Sequence, residues 1–221
     1  MGTDHSEGIA FIFEGDTEKV FYTELLHFYC SQNPSLSLTK QMDKKTGDIY
    51  YIFENSSKSI IIKMYVVGTI SQITNSGVWF TSECYNKYTS LTWSVVLCYD
   101  TDEYKESITK FYEGDWKVLR KKLQKERTKT IIDMASKADI EDLMLIDSLG
   151  VFSYLKMEPI PIPHASKGKY RLKKLFRLKG NGYAYHEGQR AKALIQSLDF
   201  NTIIEQSDLP FDKLESLILN G

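Results

Sequence analysis

The sequence has few of the residues that mark secreted or metal-stapled proteins. Its three cysteines are far apart and lie among apolar residues, so no CxxC or Cys/His spacing predicts a disulfide framework or a zinc site. Proline is scarce, with five in 221 residues, and neither a low-complexity run nor an internal repeat is present. These absences exclude a disulfide scaffold and a repeat protein. We expect a folded chain rather than a disordered one.

Long hydrophobic runs are also missing. The first eight residues are polar, and the apolar run 9–13 is too short for the core of a signal peptide. No window approaches the roughly 18 uninterrupted apolar residues of a membrane span. The G-x-x-x-x-G-K pattern of an ATPase is absent as well. We therefore expect a soluble, cytoplasmic protein that does not contact a membrane and has no ATPase module of its own.

Short, continuous apolar runs that end in polar turns predict a mainly parallel sheet. Such runs have the composition of strands that are buried on both faces, and they occupy residues 9–13, 60–67, 93–99 and 130–134. Between these runs, helical spacing or a high density of charge predicts four helices. The first starts at Asp16 or Thr17, and the others cover 71–88, 115–129 and 138–145. The aromatic run 49–53 predicts one arm of a hairpin. This alternation predicts an α/β fold with about four strands and helices on both faces.

Acidic residues follow the first and third of these runs. Glu14 comes directly after residues 9–13, and Asp100 and Asp102 come directly after 93–99. Because the carboxyl ends of parallel strands meet at one edge of a sheet, these carboxylates would repel one another unless a cation such as Mg²⁺ lay between them. Turn residues and helix caps are the alternative interpretation, since Glu-Gly and Asp-x-Asp are common in turns.

These two patterns resemble the Toprim domain of topoisomerases, primases and overcoming-lysogenization-defect nucleases. The residues that carry the resemblance are Glu14-Gly15-Asp16-Thr17-Glu18 and Asp100-Thr101-Asp102. The first pattern is closest to the small RloB-like Toprim proteins linked to bacterial defence islands. Residues 140–145 are similar to the later acidic helix start of those proteins, so the match covers roughly residues 8 to 150.

The resemblance implies a four-stranded parallel sheet and Mg²⁺- or Mn²⁺-dependent cleavage of phosphodiester bonds. Glu14 would be the general acid/base or a metal ligand, and Asp100 and Asp102 would be metal ligands. Glu141 or Asp142 would supply a further acid. Glu18, one helical turn after Glu14, is a second catalytic candidate.

A basic segment follows a proline-rich stretch near the carboxyl end. Residues 156–163 contain three of the five prolines and predict a boundary between a Toprim-like catalytic domain, 8–155, and a basic, mostly helical extension, 156–221, packed on it. From Lys156 to Lys192 ten Lys and Arg stand against two acids, a local charge of +8 in a chain whose net charge is −1.

Seven cations in this segment predict a surface for phosphates. They are Lys167, Lys169, Arg171, Lys173, Lys174, Arg177 and Lys179. Apolar residues alternate with them at helical spacing, so most of the cations would face outward and hold a nucleic-acid backbone. Lys167 could also stabilise charge that develops during the reaction. A solvated helix face is the alternative interpretation of the same residues.

The leading hypothesis is a Mg²⁺-dependent Toprim-type nuclease that acts on DNA or RNA in bacterial antiviral defence. One alternative is a haloacid-dehalogenase-like phosphatase that uses Asp100, because an Asp-x-Asp after a strand resembles the nucleophile motif of that family. The other is a non-catalytic Toprim-like subunit that binds nucleic acid or nucleotides. A partner ATPase or defence-system subunit and a homo-oligomer are further expectations.

Overall fold

A six-stranded sheet forms the centre of the part of the chain that the structure describes. The structure is a computed structural model that describes residues 7–55, 58–101, 113–126 and 128–219. The strands in chain order are β1 (Glu7–Phe13), β2 (Ser37–Met42), β3 (Ile49–Glu54), β4 (Ser59–Val66), β5 (Thr92–Asp100) and β6 (Thr130–Ser136). Their order across the sheet is β2-β3-β4-β1-β5-β6.

Four neighbouring strands of the sheet, β4, β1, β5 and β6, run parallel to one another. In this register Phe13 lies opposite both Val66 and Cys98, and Asp100 lies opposite Ser136. The apolar runs of β1 and β5 are buried almost throughout, as expected for strands covered on both faces. The carboxyl ends of these parallel strands therefore lie at one edge of the sheet.

Helices connect the strands and complete the chain. They are α1 (Asp16–Gln32), α2 (Ile73–Trp79), α3 (Glu113–Lys125), α4 (Ile140–Met144), α5 (Ser148–Leu155), α6 (Gly168–Lys179), α7 (Lys192–Ile195), α8 (Phe200–Gln206) and α9 (Phe211–Leu219). Shorter helical turns cover Ile70–Gln72, Phe80–Tyr85, Leu145–Asp147 and Gly188–Ala191. No helix in the described ranges is long and apolar enough to cross a membrane.

Two hydrophobic cores lie on opposite faces of the sheet, because alternate residues of each strand point to opposite sides. One core contains Phe11 and Phe13 with residues of α1, α4–α6 and the carboxyl-terminal helices. The other contains Ala10 and Ile12 with residues of the Phe80–Tyr85 turn and of α3, among them Trp116. The α/β class with helices on both faces is thus observed.

Two details of the predicted fold are wrong. The sheet has six strands rather than about four, because the hairpin β2–β3 pairs antiparallel with the edge of β4 and extends it. The predicted crossover helix over 71–88 is divided among Ile70–Gln72, α2 and Phe80–Tyr85.

The predicted boundary at residue 156 stays a prediction; buried residues of α6–α9 belong to the same core as those of β1 and α1.

Candidate functional site

Glu14 lies where the central strand β1 turns into α1. Its backbone N–H donates to the carbonyl of Cys98 at 2.9 Å, and its own carbonyl accepts from Gly68 N at 2.8 Å. These two bonds anchor the turn to both neighbouring strands. The Oε2 atom of Glu14 accepts a hydrogen bond of 3.2 Å from the backbone N–H of Asp100. The ends of β1 and β5 therefore bring Glu14 and Asp100 together, as the sequence predicts.

Asp100 is the last residue of β5 and is partly exposed, whereas its Oδ1 atom is buried. That atom has no hydrogen-bond partner in the part of the chain that the structure describes. Burial raises the pKa of Asp100 well above its usual range, and the carboxylates of Glu18 and Glu14 raise it further. The next residue, Thr101, extends the pairing with β6 through its N–H and the carbonyl of Ser136, 2.8 Å apart.

Glu18 lies in the first turn of α1 and is only 5% exposed. Burial, followed by the nearby charge of Glu14, raises the pKa of Glu18 to about 8, although the backbone N–H groups of Glu18 and Gly15 partly oppose this shift. A carboxyl group with that pKa is mostly protonated at neutral pH. Glu18 is therefore mostly a neutral carboxyl group at neutral pH, and it is more buried than Glu14.

Helix α4 adds two further buried acids, Asp139 and Glu141, each 4% exposed. Asp139 caps the helix by accepting a hydrogen bond of 2.9 Å from Asp142 N. Glu141 accepts a hydrogen bond of 2.7 Å from the buried hydroxyl of Tyr185. Burial and the charge of Asp139 raise the pKa of Glu141 to about 8, and the Tyr185 hydrogen bond acts in the opposite direction.

The amino end of α6 meets these acids directly. The N–H of Lys169 donates to Oδ2 of Asp139 at 3.0 Å, so the positive end of a 12-residue helix points at this carboxylate. A Cβ on Gly168 would clash with the backbone N of Asp142 and lie 2.5 Å from the carbonyl carbon of Glu141. The glycine is needed here because α6 starts in contact with α4.

These five acids, Glu14, Glu18, Asp100, Asp139 and Glu141, are called the acidic cluster below. Charges of its other members raise the pKa of Glu18, Asp100 and Glu141 in addition to burial. Glu14 and Asp100 are partly exposed, whereas Glu18, Asp139 and Glu141 are buried. The accessible part of the cluster is therefore formed by Glu14 and Asp100.

Of the predicted metal ligands, Asp102 lies outside the described residues, and Glu141 accepts a hydrogen bond from Tyr185. Within 7–55, 58–101, 113–126 and 128–219, no three His, Cys, Asp or Glu side chains form a group that could hold a metal ion. Binding of Mg²⁺ by Glu14 and Asp100 stays a prediction; Mg²⁺ in proteins is commonly bound by one or two carboxylates and retains several waters.

The predicted cationic strip lies on α6, and several of its members contact acids or carbonyls of the protein. Lys169 and Lys173 contact Glu187 at 2.6 and 3.7 Å, and Arg171 contacts Asp142 at 2.9 Å. Lys174 and Lys179 donate to the carbonyls of His164 and Lys156.

The other two predicted cations are Lys167, the residue before the first turn of α6, and Arg177, which is exposed. Nucleic-acid binding by these residues stays a prediction.

Sequence reasoning missed three features of the site. Asp139 is not among the predicted site residues, although an Asp directly before Ile140 is a typical cap signal. Tyr185 lies in an irregular segment without periodicity, so no pattern pointed to its contact with Glu141. The same segment is tied to α1, because Gly188 N donates to Oγ1 of Thr17 at 2.9 Å.

Comparisons with known proteins give no family. No family model matches the chain, and no curated protein matches it. Among solved structures, a futalosine hydrolase mutant of Helicobacter pylori strain 26695 is 9% identical, with a TM-score of 0.29, over 97% of this chain and 99% of that chain. The 5'-methylthioadenosine/S-adenosyl homocysteine nucleosidase of Campylobacter jejuni is 13% identical, with a TM-score of 0.26, over 90% of this chain and 97% of that chain. Scores this low carry no argument about activity.

The predicted Toprim family is wrong, because neither a Toprim model nor any other family model matches the chain. The Mg²⁺-dependent nuclease and the antiviral role implied by that resemblance are wrong with it, as are the phosphatase and the Toprim-like binding subunit. The six-stranded sheet also differs from the four-stranded sheet that the resemblance implied.

Proposed function

We propose that this chain is an enzyme that carries out acid–base chemistry with the carboxyl groups of the acidic cluster. The observation that supports this proposal is the packing of five acids at the carboxyl ends of β1 and β5, three of them buried, where burial and mutual charge raise the pKa of Glu18 and Glu141 to about 8. Clusters of carboxyl groups with strongly shifted pKa values are concentrated at catalytic sites, because they provide an acid and a base at neutral pH. The carboxyl ends of parallel strands are also where α/β proteins bind ligands.

The buried and the partly exposed acids have different roles in this proposal. Glu14 and Asp100 contact the substrate, and an ionised carboxylate there accepts a proton from the reacting group. Glu18 is mostly protonated near neutral pH and releases its proton when Glu14 has accepted one and become neutral, because loss of the Glu14 charge lowers the pKa of Glu18. Asp139 is kept in place by the N–H groups of Asp142 and Lys169 and adds to the negative potential.

The electrostatics of the cluster favour positive charge at the reacting group. An isolated anion would be repelled by an ionised carboxylate at Glu14, whereas a cationic substrate or a transition state that develops positive charge would be stabilised there and would favour ionisation of Asp100, whose pKa is raised without it. We propose a divalent cation, Mg²⁺ or Mn²⁺, as the cofactor that Glu14 and Asp100 would hold. Such an ion would polarise a substrate oxygen or lower the pKa of a bound water.

Turnover of a panel of hydrolase substrates tests the proposal. The panel contains nucleosides, glycosides, carboxylic esters and amides, each with and without Mg²⁺ or Mn²⁺. We expect at least one class to be cleaved, and we expect Glu14→Gln and Asp100→Asn to lower the rate about 10²- to 10⁴-fold, the range of general acid–base catalysis. Glu205→Gln is the matched control, because Glu205 is an exposed acid on α8.

The acid–base proposal is contradicted by either of two results. One is a folded wild-type protein that turns over no substrate class with or without a cation. The other is turnover that Asp100→Asn and Glu14→Gln leave at the wild-type rate. Turnover that is lost in these variants but is independent of added cation would retain the acid–base proposal and reject the proposed cofactor.

A further inference from the structure

The outer edge of β6 offers main-chain hydrogen-bonding groups to another chain. β6 is the last strand of the sheet, and no strand in the described ranges pairs with its outer side. The N–H of Thr101 donates to the carbonyl of Ser136 at 2.8 Å, so the even-numbered residues of β6 direct their main-chain groups toward β5. Ile131, Asp133 and Ala135 therefore direct theirs outward. Such an edge can pair with another extended chain.

A groove of about 680 Å³ lies along this edge, between the first half of β6 and α9. Its walls include Ile131 and Ile132 of the strand and Leu217 of the helix. Ile131 and Leu217 are partly exposed, whereas Ile132 is 5% exposed. A strand added beside β6 would therefore have space in the groove, and it would cover the exposed parts of Ile131 and Leu217.

The charges along this edge are complementary to themselves. Lys129 lies directly before β6, and Asp133 lies four residues later along the chain. If two copies pair antiparallel about a two-fold axis at Ile131, Lys129 of each copy lies opposite Asp133 of the other, because both lie two residues from the axis. Opposite charges at facing positions stabilise a strand pair. This arrangement therefore selects a second copy of the chain as the partner.

Both charged side chains can take a further partner. Lys129 contacts Glu7 at 2.8 Å, but its side chain remains 49% exposed and its ammonium group has three donors. Asp133 forms an ion pair with Arg120 through Oδ2, and its Oδ1 atom accepts a long hydrogen bond of 3.4 Å from the hydroxyl of Tyr99. An ionised carboxylate has about four acceptor positions, so Asp133 retains capacity for a second cation.

The other edge of the sheet lacks this complementarity. β2, over Ser37–Met42, contains one cation, Lys40, and no acid. An antiparallel pair of β2 strands would have no opposite charges within the strands to align. Charge therefore favours β6 over β2 as the surface for a second copy.

We propose that this chain forms a two-fold symmetric homodimer in which β6 pairs antiparallel with β6 of a second copy. The two Ile131 residues would exchange main-chain hydrogen bonds at the axis, and a Lys129–Asp133 pair would lie on each side of it. The two sheets would then form one continuous sheet. This proposal does not depend on turnover at the acidic cluster.

Size-exclusion chromatography with light scattering tests the proposal on the full chain, at concentrations from about 1 to about 100 µM, the affinity range of weak interfaces. We expect the mass of a dimer at the upper end. Lys129→Glu and Asp133→Lys each place like charges opposite one another at both ends of the strand pair, so each variant alone should dimerise about tenfold or more weakly. An equimolar mixture of the two variants should restore the dimer, because every facing pair in the heterodimer again has opposite charges.

Lys44→Glu is the matched control, since it reverses an exposed charge in the turn between β2 and β3; it should change the dimer affinity by less than about threefold. A wild-type monomer at all concentrations, a dimer that both β6 variants leave unchanged, or a mixture that stays monomeric would overturn the proposal. If a variant does not fold, hydrogen exchange of the Ile131 amide in the wild type decides. Its protection should rise with protein concentration, and protection that is independent of concentration would overturn the proposal.

Discussion

The stability of this protein should fall as pH rises through the neutral range, and Glu18 should be a main cause. The pKa of its carboxyl group is about 8 in the folded chain and 4.5 as the reference value for the unfolded chain. Between these values the folded state binds more protons than the unfolded state, so the free energy of unfolding decreases with increasing pH. From about pH 5.5 to about pH 9, the ionisation of Glu18 alone lowers the free energy of unfolding by about 3 kcal/mol.

Glu18→Gln should remove this dependence, because an amide imitates the neutral carboxyl group and does not ionise. Urea unfolding at both pH values measures the effect. We expect the variant to lose about 3 kcal/mol less than the wild type across this interval and to be the more stable protein at the higher pH. Glu205→Gln, which changes an exposed acid, should follow the wild-type curve.

A divalent cation should act in the same direction as the substitution, since it neutralises the acids that ionise. Added Mg²⁺ or Mn²⁺ should therefore stabilise the wild type at the higher pH more than at the lower one. The reasoning is refuted if Glu18→Gln lowers stability equally at both pH values, or if wild-type stability is constant across them.

Two further predictions concern the contacts that hold α4 in place. Tyr185→Phe should raise the pKa of Glu141 and lower stability by about 1–2 kcal/mol, because the hydroxyl that donates to its carboxylate is lost; an unchanged Glu141 carboxyl titration by ¹³C NMR would contradict this. Gly168→Ala should destabilise the fold by about 2 kcal/mol or more in urea unfolding, since its Cβ would clash with Asp142 N. Gly114→Ala, where a Cβ meets no atom of the described structure within 4 Å, is the control and should be neutral or stabilising by up to about 1 kcal/mol.

The central strands could be predicted from the sequence because their apolar runs are continuous. Residues 9–13 and 93–99 are flanked by polar turns, and both became strands buried on two faces, with Glu14 and Asp100 at their ends. The contact between these acids follows from parallel pairing alone, which aligns Phe13 with Cys98.

The remainder of the cluster depends on packing that short sequence patterns do not encode. Asp139 and Glu141 are brought close to Glu18 only because α4 packs beside the sheet, and the Tyr185 contact spans 44 residues. Helical spacing predicts which cations of α6 share a face but not which residues that face contacts. Arg171 and Lys169 contact Asp142 and Glu187.

Site-resolved titration of the glutamate carboxyl carbons tests the central claim most directly. In ¹³C NMR spectra recorded across the pH range, we expect the Glu18 and Glu141 signals to titrate near pH 8. They are to be assigned by their loss in Glu18→Gln and Glu141→Gln. Titration of both groups near the reference value of 4.5 would contradict the proposed acid–base site.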